Sequence, residues 1–202
     1  MGIRVFFLEP TERYRVSLRR YVRHEQPCPG AGYHNAMTPI GEATGDDRSA
    51  VSGDLHPHDD PRWPKKCEHC DYVFAEEDPW QLFTDRIYRR LDTGEETTLR
   101  DAPVGACWNA SWLTEIDGPW FRGPDGRCLY VRTPGGDWCP DHRASNCTLP
   151  DDNQHKCWVR HGRPEDGTLH VDKNGLTCAA GAGSIGQKTW HGFLHNGELV
   201  QC

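Results

Sequence analysis

The chain is 202 residues long with a formal net charge of -7, and only 36% of it is hydrophobic while 21 Gly and 15 Pro interrupt it. That composition excludes a large helical core, and the acidic balance excludes general coating of nucleic acid. No apolar run approaches the ~20 residues of a membrane helix, and Val5-Phe6-Phe7-Leu8 is too short for a secretory signal core, so neither membrane residence nor signal-directed secretion is expected.

Residues 3–8 form a short apolar run closed by Pro10 and predict a buried strand. In 13–22, Tyr14, Val16 and Leu18 alternate with Arg13, Arg15, Ser17 and Arg19, a period of two that predicts a half-buried strand; the spacing of Tyr14, Leu18, Tyr21 and Val22 also suits a helix. As a strand it sets Arg13, Arg15 and Arg19 on one face of a basic segment, since residues 1–25 hold six Arg against three Glu. Such a stripe is either a solvated face or a partner-binding surface. Residues 26–66 show no periodic element. Their Pro and Gly content, with His56-Pro57-His58-Asp59-Asp60-Pro61, reads as one long irregular loop that something must pin.

Residues 80–90 predict a strand, Leu91-Asp92-Thr93-Gly94 a turn and 95–100 the returning strand. Turns at Gly123-Pro124-Asp125-Gly126 and Thr133-Pro134-Gly135-Gly136 bracket another strand over 127–132. A C-terminal hairpin follows, 188–194 and 198–201 joined at His195-Asn196-Gly197. The expected fold is mainly β, hairpin-rich and loop-rich, with an N-terminal region 1–100 and a C-terminal region 101–202, or both as one continuous domain. Eight Trp exceed what so aliphatic-poor a core needs, so some of them, Trp63 included, are candidate partner-binding anchors.

With no export signal, the ten Cys read first as metal ligands and buried thiols and only second as disulfides. In Cys67-Glu68-His69-Cys70 two thiols three positions apart on a tight turn can both face one ion. Cys28 and His34, in a Pro/Gly-rich segment, supply the other two ligands of a tetrahedral structural zinc site, with His69, His56 and His58 as rivals for the fourth place. Such a site staples an N-terminal segment to the middle of the chain. A second cluster comprises Cys147, His155, Cys157, His161 and Cys178; Cys157-x3-His161 is a ligand-like spacing, and Cys147 and Cys178 flank it, so Cys147, Cys157, His161 and Cys178 are the candidate ligands of a second metal. Cys107, Cys128, Cys139 and Cys202 show no ligand spacing.

Gly181-Ala182-Gly183-Ser184-Ile185-Gly186 matches a dinucleotide fingerprint in letters but lacks the strand, helix and second strand the fingerprint requires, and reads as a glycine-rich turn. His58-Asp59-Asp60 and Asp151-Asp152 read as solvated loop carboxylates. No nucleophile elbow is present, so no catalytic residue is assigned.

The runs Phe6-Phe7-Leu8-Glu9-Pro10-Thr11, Cys28-Pro29-Gly30-Ala31-Gly32-Tyr33-His34, His58-Asp59-Asp60-Pro61-Arg62-Trp63-Pro64 and Asp172-Lys173-Asn174-Gly175, with Gly181 to Ile185, resemble uncharacterised zinc-binding-type proteins encoded by tailed phages of actinobacteria. The resemblance implies a phage context and no mechanism. Cys28, His34, Cys67 and Cys70 fall in its family-like parts, as do Cys147, Cys157 and Cys178, whereas Cys107 and Cys139 do not. The expected function is therefore a virion structural or accessory protein, of minor capsid or decoration type, in the virion or the host cytoplasm, binding other virion proteins and foremost the major capsid protein. Two alternatives are weighed against it: an intracellular phage accessory protein that binds nucleic acid or a host factor through Arg13, Arg15, Arg19 and Arg20, and a zinc-dependent hydrolase.

Overall fold

A computed structural model describes residues 2–23, 26–45, 60–116, 122–149, 151–152, 155–172 and 183–202. The fold is mainly β, and the chain divides into two units: Met1–Glu9, Arg89–Thr97 and Asp101–Cys202 make a hairpin unit, while Pro10–Tyr88 and Thr98–Arg100 make a knuckle unit. The two units interleave along the sequence and do not meet at residue 100. The N-terminal residues join the C-terminal half because β1 (Ile3–Arg4) pairs with β13 (Glu198–Gln201), and the start of β2 (Phe6–Val22) pairs in parallel with β6 (Ala106–Asn109).

In the knuckle unit, β2 pairs antiparallel with β3 (His34–Thr44) from Arg13↔Thr44 to Val22↔His34. A strand at 34–44 contradicts the expectation of one long irregular loop. Its alternation is hidden by Pro39 and Gly41, which flank a register shift where Val16 pairs with Gly41 and Ser17 with Pro39. A bulge is where a strand tolerates proline. Pro10 does not end β2 either, because it falls between the ladder to β6, which stops at Leu8, and the ladder to β3, which starts at Arg13. β4 (Trp80–Arg90) lies beside β2 and carries β5 (Glu96–Thr98) on its other edge, as the turn at 91–94 predicts.

In the hairpin unit, β6 continues to β7 (Leu129–Thr133) and β8 (Gly136–Trp138). The pair β9 (Val159–His161) and β10 (His170–Asp172) stands apart, and β1, β13, β12 (Trp190–His195) and β11 (Ile185–Gln187) form a four-stranded sheet. One helical turn, α1 (Ser111–Ile116), was not anticipated. No helix among the described residues is long and apolar enough to cross a membrane. The core alternates as strands require: Leu129 and Val131 from β7 meet Val5, Cys107, Leu169, Val171, Ile185, Leu194 and Leu199. Trp138 and Trp190 complete that cluster, so part of the tryptophan surplus fills the volume that aliphatics would otherwise occupy.

A buried charge network closes this unit. Arg160, 2% exposed at its side chain, donates to Asp125 at 2.6 and 3.1 Å and to Asp141 at 3.1 Å. Arg127 donates to Asp125 at 2.7 Å and to Glu165. Burial pushes the Asp125 carboxyl up, but the hydrogen bonds from Arg160 and Arg127 outweigh it and hold the group well below the usual carboxylate range. A carboxyl depressed in the folded state contributes stability that is present above its unfolded pKa of ~3.9 and is lost as pH falls through the folded value. Asp125→Asn should therefore cost about 2 kcal/mol near neutral pH, and its deficit against the wild-type chain should shrink as chemical denaturation is repeated at falling pH below ~4.

The C-terminal hairpin turns as expected. His195 pairs with Glu198, and Asn196 and Gly197 take φ of 48° and 78°, the two positive values of a type I′ turn. The turn is also a junction, with Val5 N–H donating to Gly197 O and Gly197 N–H to Leu169 O, both at 2.7 Å. A Cβ on Gly197 would lie 2.1 Å from the Gly167 carbonyl oxygen. Gly197→Ala combines that clash with a strained φ and should lower the unfolding free energy by about 2 kcal/mol or more, as measured by denaturant titration.

Candidate metal centres

The first centre lies wholly within the knuckle unit. Residues 65–74 fold back on themselves: Cys67 N–H donates to Tyr72 O at 2.9 Å, Phe74 N–H to Lys65 O at 3.0 Å, and Lys66 bridges Val73. This places Cys67 and Cys70 on one tight turn. Cys28 opens another turn, closed by Gly32 N–H onto Cys28 O at 2.8 Å with Gly32 at φ 71°, and His34 begins β3. Glu68 N–H donates to Asn35 O at 2.9 Å and Glu68 Oε1 accepts from Met37 N–H at 2.6 Å, which ties the knuckle to β3.

The ligand atoms of Cys28, His34, Cys67 and Cys70 all lie within 4.8 Å of one another. Cys28 Sγ is 3.9 Å from Cys67 Sγ, and His34 Nδ1 is 3.3 Å from Cys70 Sγ. A tetrahedral zinc-type ion with bonds of ~2.3 Å to sulfur and ~2.0 Å to nitrogen sets S···S near ~3.8 Å and S···N near ~3.5 Å, so the side chains stand where ligation requires. The histidine is oriented from behind. Its Nε2–H donates to the Gln26 carbonyl at 3.0 Å, leaving the Nδ1 lone pair to the cluster, and its ring stacks on Tyr72 at 4.0 Å.

Electrostatics point the same way. Burial raises the Cys67 thiol, but the backbone N–H groups of His69 and Asn35, each 3.4 Å from the sulfur, lead the groups that bring it down to about 6. Cys70 moves oppposite to it: the Tyr72 N–H lowers it, and burial with the Cys67 and Cys28 sulfurs outweighs that and holds it above its ordinary value. Three crowded sulfurs cannot all ionise without a cation between them. Among the rival ligands, His69 contributes its backbone N–H and its ring is outside the ligand group, while His56 and His58 lie outside the described residues.

The second centre belongs to the hairpin unit and consists of Cys147, His155 and Cys157. His155 Nε2 stands 3.2 Å from Cys147 Sγ and 3.7 Å from Cys157 Sγ, and Nδ1–H donates to the Asp152 carbonyl at 2.7 Å. The arrangement repeats the logic of the first centre, with one ring nitrogen fixed by a carbonyl and the other turned to the sulfurs. His161, expected as a ligand from the Cys157-x3-His161 spacing, is elsewhere: on strand β9 that spacing carries it away, and its Nε2 faces Asp172 Oδ1 at 3.3 Å. Cys178 lies outside the described residues.

Sequence reading missed the pairing of Cys128 with Cys139, whose sulfurs lie 3.8 Å apart and buried. The signal is the hairpin register: with Val131 opposite Trp138, extension of the ladder makes these two thiols diagonal neighbours. They have no third ligand beside them among the described residues and form no metal group.

The expected partner-binding residues are largely committed internally. Trp63 is 3% exposed and packs edge-on against Trp80, so it offers no accessible anchor. Arg13 pairs with Glu42, and Arg15 stands opposite Glu42 in the β2–β3 register. Arg19 donates to the Asn35 side chain at 2.8 Å and sits over the rings of Tyr21 and Phe83. Arg20 is buried between Trp63 and Phe74 and donates to the carbonyls of Ala75 and Asp78, so it holds the 75–78 turn and is not available to phosphates.

No family model matches the sequence, and no curated protein or solved structure is similar to it. The two Cys/His clusters are therefore defined by geometry alone, and both are positioned to chelate a metal ion. Cys67→Ser should remove one equivalent of bound divalent ion, read by elemental analysis, and destabilise the chain by about 3 kcal/mol or more, because metal-binding energy is folding energy at such a site. His69→Ala should leave metal content unchanged.

Proposed function

We propose that the chain is a virion accessory protein, of minor capsid or decoration type, in which zinc is a structural staple and the folded surface binds a repetitive protein array, foremost the major capsid protein. The observation that carries the non-catalytic part is the closed first centre: three thiols and one imidazole supply all four corners of a tetrahedron, so no position remains for water or substrate. Zinc is the ion whose coordination preferences suit such a set best. The phage assignment is supported by the resemblance of the runs around Cys28, His34 and Trp63 and by no structural neighbour.

A binding role is supported by what the staple leaves outside. Val73, on the return limb of the knuckle, is 60% exposed, and Trp80, at the head of β4, is 43% exposed. The nucleic-acid alternative is weakened by the internal pairing of Arg13, Arg19 and Arg20. The test is to purify particles and analyse them by quantitative mass spectrometry alongside elemental analysis of the isolated protein. The chain should be found in the particles and should carry zinc, and Val73→Asp should lower the particle-bound fraction about fivefold with zinc retained, a loss on the order of 1 kcal/mol. Absence from purified particles removes the virion reading, and protein free of zinc when made without chelator removes the staple.

A further inference from the structure

The hairpin unit contains a cavity of about 640 Å³, within the ~300–1,000 Å³ usual for small-ligand sites. Its buried part is aromatic. Trp138 and Trp158 meet edge to face with ring centroids 5.4 Å apart, and Tyr130 lines the same space. Its exposed part is polar, with His142, Asn146 and His191.

The charged side chains that reach this cavity are held by protein groups. Asp137 accepts from Arg132 at 2.8 and 3.2 Å, and Arg143 donates to the Asp152 carbonyl at 2.9 Å. Trp158 spends its Nε1–H on the Ser184 carbonyl at 3.3 Å, so its contribution to a ligand is its ring. A phosphate or carboxylate ligand would call for several converging cationic donors, whereas the one permanent cation in this lining, Arg143, shares it with the Asp137 carboxylate. A wholly apolar ligand would strip water from the exposed Asn146 amide and His191 imidazole without replacing their hydrogen bonds. What fits is a neutral molecule with a C–H face for the indole and several hydroxyls for the rim.

We propose that this cavity binds a neutral oligosaccharide, with a sugar ring against Trp158 and hydroxyls bonded to Asn146 and His191. The proposal goes beyond the virion reading and does not rest on it. One wall, Ala144-Ser145-Asn146, runs directly into Cys147, so the second metal cluster anchors the segment that carries Asn146.

Saturation-transfer-difference NMR on the full, metal-loaded chain tests this with cellotetraose, maltotetraose, mannotetraose and chitotetraose, and with adenosine monophosphate as a charged aromatic control. Transfer to at least one tetrasaccharide is expected. Asn146→Ala with His191→Ala should weaken it tenfold or more at unchanged metal content and near-ultraviolet circular dichroism. Asn146→Ala alone is the second variant if that pair does not fold. The proposal is overturned by no transfer to any of the four sugars, by transfer that folded variants leave undiminished, or by displacement of the sugar by adenosine monophosphate.

Discussion

The knuckle unit is built around a contradiction that a bound cation would resolve. Cys28 and Cys67 are buried with Ala36 and Phe74 in a small apolar cluster, with Cys70 and Tyr72 at its border. Thiols placed this way pack as small hydrophobes, but N–H donors from Asn35 and His69 aim at the Cys67 sulfur and favour its ionised form. A buried thiolate without a counterion is costly, and three sulfurs sharing one space multiply that cost. Bound to a divalent ion, the same sulfurs become the strongest link between the start of β3 and the 65–74 turn. Gly30 shows how tightly the two segments close, since a Cβ there would lie 2.9 Å from His69 Cβ.

The hairpin unit meets the shortage of aliphatic residues differently. Its central cluster draws on Trp138 and Trp190, and its polar interior is a network in which Arg160 spans Asp125 and Asp141. Such a network tolerates little intrusion: a Cβ at Gly123 would fall on the Arg160 guanidinium and within 2.6 Å of Asp141 Oδ1. Ion pairs this buried are weak sources of net stability but strongly penalise any arrangement that separates them. Tryptophan volume thus supplies the burial, and the arginine network restricts which packing of these short strands is accepted.

Strand positions were readable where side chains alternate and turns carry their own chemistry. Asn196-Gly197 marked its hairpin because only residues tolerant of positive φ suit that turn, and Pro134-Gly135 marked the link between β7 and β8. Strand β3 was hidden because Pro39 and Gly41 break its alternation at a bulge whose reason lies in its partner β2. The first ligand set was legible because Cys67-x2-Cys70 is a local geometry. The second was legible only as a crowd of residues: strand spacing turns His161 away, while the carbonyl of Asp152 fixes the ring of His155, and neither effect is visible as a letter pattern. Burial of Trp63 and Arg20 was equally hidden, since a tryptophan and an arginine that stack on each other look in sequence like two surface residues.

Cysteine usage ties these observations to how the protein is made. None of the nine described cysteines is joined in a disulfide, and five of them sit in the two Cys/His clusters. Sulfur binds such an ion as thiolate, so loading has to occur while the thiols are reduced, and an oxidant that reached them first would compete with the metal for the same atoms. Once loaded, the sulfurs of the first cluster would be shielded by coordination and by packing with Tyr72 and Phe74. The order of events is therefore constrained by chemistry: an ion that is to occupy these clusters has to reach the sulfurs while they are still reduced.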